Sequence, residues 1–205
     1  MNAAQLSCGD FLDALASKSP TPGGGGASAL VGALGAALAS MVGNYTLGKQ
    51  KYAGVEAEVR ALMVRTEELR TRLLAQVDAD AAAFEPLSRA YAIPKDDPAR
   101  GEVMERCLRE AAAPPMEILR LSCQAIDLHQ AMLEKGSSMM LSDIGTGVVF
   151  CWSALYGALL NVKVNTKSMS DREYAGAMNA EADALAEKYG KIARQVYESV
   201  MGRCS

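Results

Sequence analysis

Asp80 falls on the apolar side of a strongly periodic stretch, with Val77 before it and Phe84 after it. A buried carboxylate without a partner is costly, so such a residue is paired, raised in pKa or set on a cavity wall. A carboxyl of raised pKa is also what general acid–base catalysis needs. Ala81 and Ala83 offer the apolar stripe other members, so a place beside the face stays open for Asp80; Asp78 is expected to point elsewhere, into solvent. Four consecutive glycines, Gly23 to Gly26, follow Ser-Pro-Thr-Pro at 19–22 and precede a helical pattern. Free backbone N–H groups at a helix N-terminus hold anionic or electron-rich groups. The same glycines equally suit a tight turn between closely crossing helices. No Gly-Lys-Ser/Thr follows them and no strand precedes them, which excludes a Walker loop and a dinucleotide fingerprint. Asp143 is a third candidate, with helix capping as its other reading. Asn161 and Asn165 stand one helical turn apart, and their amides need partners, from local backbone or from a ligand. Lys49, Lys51 and Lys163 end uncharged helical stretches, either solvated or available to carboxylates, and His129 reads as an ordinary helix residue.

These residues need rigid elements behind them, and the periodicity supplies helices throughout. Ser7 to Asp10 reads as a cap for a short helix carrying Phe11, Leu12 and Leu15. A second helix is predicted from about Ala27 to Leu47, with Gly32, Gly35, Ala36, Ala39 and Gly43 on closely packing faces. Steps of three and four from Val55 through Val59, Leu62, Thr66, Leu69, Leu73 and Val77 to Tyr91 define a long helix, which Pro86 should kink or end. Asp97 is placed to cap a helix beginning at Pro98, and Pro114-Pro115 predict a kink or a new start within it. Gly136-Ser137-Ser138 is a break, Ser142-Asp143 can cap the next helix, and Ser170 to Glu173 reads as a capping box for the last. With no alternating pattern, repeat or long linker, residues 1–205 predict one all-α domain, a bundle of five to seven long and partly kinked helices.

Composition removes several function classes. A net charge of −3 without any Lys/Arg-rich run gives no field for nucleic acid. Five cysteines at irregular spacing and one histidine argue against a disulfide framework and a zinc site, and fit a reducing cytosol. No basic region followed by an apolar stretch opens the chain, so no signal peptide is expected. Ser19 to Gly48 and Ile144 to Val162 carry no charge and are long enough to raise a membrane span. Their small and hydroxyl residues, without polybasic flanks or an aromatic belt, predict buried helices of a soluble core instead.

Taken together, the motifs resemble the cyclodeaminase/cyclohydrolase family of folate enzymes. The resemblance rests on Ser-Pro-Thr-Pro-Gly-Gly-Gly-Gly at 19–26 and on Thr46-Leu-Gly-Lys-Gln-Lys-Tyr52. Asp80-Ala-Ala-Ala-Phe84, Ser142-Asp143-Ile-Gly145 and Asn161-Val-Lys-Val-Asn165 complete it, so that it covers nearly the whole chain. One departure is Gly136-Ser137, where the family usually has Gly-Asn. The cysteines already lead us to expect a cytoplasmic protein; the resemblance implies an all-α fold, usually a homodimer, that binds tetrahydrofolate derivatives without a metal or further cofactor. It implies one of two reactions: hydrolysis of 5,10-methenyltetrahydrofolate to 10-formyltetrahydrofolate, which the segments Tyr91 to Lys95 and Val196 to Val200 favour by likeness, or ring closure of formimidoyltetrahydrofolate with release of ammonia. A folate-binding helical protein without catalysis is the alternative of another class. On this reading Asp80 and Asp143 are the acid/base candidates. Pro22, Gly23, Gly24, Gly25, Gly26, Ser142, Asn161 and Asn165 contact the substrate, and Lys49 or Lys163 meets its glutamate tail.

Overall fold

The structure, a computed structural model, describes residues 3–204. Six α-helices occur among them and no strand: α1 (Cys8–Ala16), α2 (Gly24–Asn44), α3 (Glu56–Ala90), α4 (Arg100–Lys135), α5 (Leu141–Lys167) and α6 (Arg172–Cys204). Short 3-10 turns at Ala3–Gln5, Gln50–Val55 and Ser138–Met140 join or precede them. The predicted helical bundle is therefore observed.

Each of the five long helices packs against the next across a short connection, so successive helices run antiparallel. α2 and α5 lie together at the centre, α4 crosses both, α3 flanks α2 and α4, and α6 flanks α5 and α4. This order gives the bundle two ends. The start of α2, the second half of α3, the first half of α4 and the end of α5 meet at one end; the end of α2, the start of α3, the end of α4 and the start of α5 meet at the other.

Small residues let the central helices approach. A Cβ on Gly35 of α2 would stand 2.5 Å from Cys151 Sγ and 2.9 Å from the Gly147 carbonyl of α5. A Cβ on Gly147 would stand 2.2 Å from Cε1 of His129, which α4 inserts into the same layer. His129 is fully buried; its Nε2 lies 3.0 Å from the Gly35 carbonyl, and its Nδ1 has no partner among the described residues. Burial pulls its pKa down to about 4 against the opposing effect of that hydrogen bond, so a neutral imidazole donates from Nε2.

Several element boundaries differ from the sequence expectation. Three of the four glycines lie inside the first turn of α2, with Gly23 as its N-cap. α3 continues past Pro86 to Ala90, and α4 runs unbroken through the buried Pro114 and Pro115, so neither site starts a new helix. α4 begins at Arg100 rather than Pro98, although Asp97 still accepts from the Ala99 N–H at 2.8 Å. α5 begins at Leu141 with no side-chain cap, so Ser142 and Asp143 sit in its first turn. Asp171, not Ser170, caps α6 by accepting from the Tyr174 N–H at 2.9 Å. α2 and the stretch Ser138–Lys167 are long and apolar enough to cross a membrane; here both serve as central helices of the bundle, buried along one side.

Candidate functional site

Asp80 lies on α3 where that helix meets the start of α2. Its Oδ2 accepts from the Gly26 N–H at 2.9 Å, one of the first-turn donors that the helix itself leaves unbonded. A Cβ on Gly25 would stand 2.1 Å from Asp80 Oδ1, so this position admits only glycine while the carboxylate keeps its place. Gly24 is looser, its added Cβ meeting the Asn161 amide at 3.4 Å. The glycine run therefore presents bare backbone to a carboxylate of the same chain. Burial raises the Asp80 pKa above its usual 3.8, and the Gly26 hydrogen bond opposes that shift only in part.

Around this pair the end of α5 supplies two amides. Asn161 Nδ2 donates to the Gly157 carbonyl at 2.8 Å, and Asn165 Nδ2 donates across to the Ala111 carbonyl of α4 at 2.9 Å. These bonds fix both side chains and leave each Oδ1 without a protein donor among the described residues. Asp80, Gly23, Gly24, Gly25, Phe84, Asn161 and Asn165 together line an open cavity of about 180 Å³. A hydrogen-bond acceptor of raised pKa, a wall without side chains and two oriented amides can hold a flat polar ring and exchange protons with it.

Other candidates lie elsewhere. Pro22, joined to Thr21 by a cis peptide bond, is buried behind the glycine turn and lines a separate cavity with Asp78 and Glu85. Asp78 is half-buried rather than solvated, accepting from the Ala3 N–H at 2.6 Å. Lys163 is paired with Asp183 at 2.5 Å. Lys49, Ser142 and Asp143 lie at the opposite end of the bundle. Asp143 precedes Asn161 by eighteen residues of one helix, which is about 27 Å. Lys49 follows the far end of α2, with its Nζ 5.7 Å from the Tyr45 ring. One chain thus holds the sequence candidates in two groups: Asp80 with the glycines and asparagines, and Asp143 with Ser142 and Lys49.

The second end also holds a hydrogen-bonded tyrosine the sequence reading did not single out. Tyr52 accepts from the Ser138 N–H at 3.0 Å and lies 3.4 Å from the Ser138 hydroxyl. The signal available was its place at the end of the Lys49 to Tyr52 motif.

A family model described as formiminotransferase-cyclodeaminase matches residues 7–184. Over 197 residues the chain is 39% identical to the methenyltetrahydrofolate cyclohydrolase of Methylorubrum extorquens, covering 94% of this chain and 95% of that protein. It is 33% identical over 165 residues to the formimidoyltransferase-cyclodeaminase of Mus musculus, where the match spans only 30% of the relative's length. Among solved structures, the formiminotetrahydrofolate cyclodeaminase of Thermotoga maritima superposes with a TM-score of 0.84 at 30% identity, covering 96% of this chain and 98% of the other.

Proposed function

The chain belongs to the formiminotransferase-cyclodeaminase family, and from that premise we propose that it is a methenyltetrahydrofolate cyclohydrolase. The single observation that carries the site assignment is the Asp80 carboxyl, raised in pKa, seated on the Gly25–Gly26 backbone and open to a cavity between two asparagines.

The reaction adds water to the carbon of the cationic 5,10-methenyl bridge. Asp80 takes a proton from that water as its oxygen bonds to the carbon, giving a tetrahedral centre between N5 and N10. The same carboxyl returns the proton to N5 as the C–N5 bond breaks, leaving the formyl group on N10. The net products are 10-formyltetrahydrofolate and one proton. The anionic carboxylate also favours the cationic bridge over the neutral product, a charge difference that stabilises bound substrate. Gly23 to Gly25 admit the flat pterin against backbone, and the Oδ1 atoms of Asn161 and Asn165 accept from its N–H edge or from the attacking water.

The protein acts in the cytoplasm, in keeping with five unpaired cysteines. It works as a homodimer through the outward faces of α2 and α5. These uncharged faces leave Leu34, Met41, Tyr156, Leu160 and Val164 exposed, Leu160 and Val164 by 66% and 68%. The likeness to the Thermotoga maritima structure favours a second reading, cyclodeaminase, in which the same bridge closes with loss of ammonia.

Purified protein supplied with 5,10-methenyltetrahydrofolate, with absorbance followed against spontaneous hydrolysis, tests the first reading. A parallel reaction with 5-formimidoyltetrahydrofolate and an ammonia readout tests the second. Loss of methenyl absorbance with silence in the second assay is the expected result; the reverse makes the protein a cyclodeaminase. Silence in both with folate still bound overturns catalysis.

A further inference from the structure

We propose that a second copy of this chain docks with its α5 antiparallel to α5, about a two-fold axis at Ser153, and so brings the partner's Asp143 to the Asp80 end of the bundle. This rests on the homodimer reading above and adds to it an axis, a register and a residue contributed by the partner.

Five exposed residues of α5 form one straight stripe: Ser142, Thr146, Ser153, Leu160 and Val164. Their intervals of four, seven, seven and four residues keep them within about 40° of one another around the helix. None is charged, and Ser153 spends its hydroxyl on the Val149 carbonyl at 2.9 Å, so covering the middle of the stripe strands no donor there. The stripe is symmetric in position and opposite in size. Thr146 and Leu160 lie equally far from Ser153 along the chain, as do Ser142 and Val164. At one end the large side chains of Leu160 and Val164 are 66% and 68% exposed. At the other, beside Ser142 and Thr146, α5 and α6 enclose a largely apolar groove of about 330 Å³ with Val149, Tyr197 and Val200 in its walls. A two-fold contact uses the same patch on both copies. Antiparallel pairing therefore sets each copy's Leu160 and Val164 against the other's groove, whereas parallel pairing sets large on large and groove on groove.

The flanks of α5 select the axis. Asp143 and Asn161 are eighteen residues apart, which is five helical turns, so both lie on one flank. Asn161 marks that flank as the side towards α2, because it abuts Gly24, while Lys163 turns to α6 through its pair with Asp183. An axis that lies in the contact plane and crosses the helices exchanges the two ends and keeps each flank on its own side. The partner's Asp143 then falls level with position 163, on the flank that carries Asn161 and Asn165, and the partner's Lys49 moves with it towards the glycine turn. An axis parallel to the helices leaves Asp143 and Asn161 at separate ends. Only the crossing axis joins the two groups of motif residues that a single chain holds apart. In the proposed reaction it sets a second carboxylate against the cationic bridge that Asp80 faces.

The test uses the full chain with its exposed cysteines replaced, Cys8→Ser and Cys204→Ser, and thiols added on α5. Helices packed about 8–10 Å apart bring facing Cα atoms at a two-fold axis within disulfide range. Copper–phenanthroline oxidation of Ser153→Cys should give a covalent dimer as the main product, unchanged by tenfold dilution. Thr146→Cys alone should give none, because its two copies stand fourteen residues, about 21 Å, apart along the helices. Thr146→Cys combined with Leu160→Cys should cross-link again. Light scattering of the wild-type chain reads the homodimer separately. A monomer overturns the homodimer reading and this proposal together. A dimer in which Ser153→Cys does not cross-link, or in which Thr146→Cys cross-links by itself, overturns the axis and leaves the homodimer standing. Neither readout needs folate or turnover, so failure here and failure of the cyclohydrolase assay remain distinct.

Discussion

Asp80 bears a folding penalty in its ionised form. Because burial raises its pKa above 3.8, the folded chain holds this proton more tightly than the unfolded chain does. Stability on this account is greatest below 3.8 and falls as pH rises through the folded pKa. Asp80→Asn keeps an acceptor for the Gly26 N–H and removes the charge. We expect a melting temperature at or above wild type at neutral pH, with the gap closing as pH approaches 3.8. Turnover should fall by about 10²–10⁴; normal turnover in a folded variant would falsify the assignment. His129 works in the opposite sense. Its pKa of about 4 in the fold, against an ordinary 6.5, means that the unfolded chain takes up the proton first as pH falls. Its contribution is complete above 6.5 and is lost towards 4, by about 3 kcal/mol. Urea titrations across that range should show a slope for wild type that His129→Gln flattens. Asp80 was legible in the sequence because a carboxylate on an apolar stripe is anomalous whatever the fold. His129 was not, since nothing local marks which side of a uniformly apolar helix pair receives a third helix.

Helix–helix distance is set by what glycine omits. Gly35, Gly147 and Cys151 bring α2 and α5 into backbone contact, and His129 fills the remaining corner. Gly147→Ala places a methyl against the imidazole ring of His129, which is fully buried and held by its hydrogen bond to the Gly35 carbonyl, so it cannot yield like a flexible chain end. A loss of about 1–3 kcal/mol is expected from such overpacking, although alanine raises intrinsic helix propensity by about 1 kcal/mol. Gly176→Ala is the control. Nothing lies within 4 Å of an added Cβ there, so it should stabilise α6. Chemical denaturation of the two variants measures both signs, and a Gly147→Ala protein as stable as wild type would remove the close-contact account. The same physics explains which boundaries the sequence hid. Glycine and proline read as breaks, but the first turn of a helix asks nothing of its N–H groups, so Gly24 to Gly26 begin α2 rather than precede it. Pro86, Pro114 and Pro115 each remove one interior hydrogen bond, yet tertiary packing on both sides of a helix can outweigh that local cost. Burial of Pro114 and Pro115 in the core puts them on the packed side.

At the scale of the molecule the two groups of motif residues pose a geometric constraint. The resemblance named Asp80 and Asp143 together, and an unbroken α5 keeps the second about 27 Å from Asn161 in the first group. Motif order along a chain fixes composition of a site, not which copy of the chain supplies each part, and so this separation was illegible before the helices were placed. If both aspartates serve one reaction, they must come from different subunits. The uncharged outer faces of α2 and α5 offer the surface for it, because each runs the full distance between the two ends. Mixing separately inactive Asp80→Asn and Asp143→Asn proteins under exchange conditions decides the matter. In a dimer with shared sites, half of the randomly mixed dimers are heterodimers, and each holds one site with both aspartates intact. Activity should then return to about a quarter of wild type. Sites confined to single chains restore nothing, whatever the dimer, and an Asp143→Asn protein that is active alone removes Asp143 from the chemistry altogether. Leu160→Lys, which puts a charge on that face, should give monomers by light scattering and abolish the regained activity while leaving the helical content unchanged.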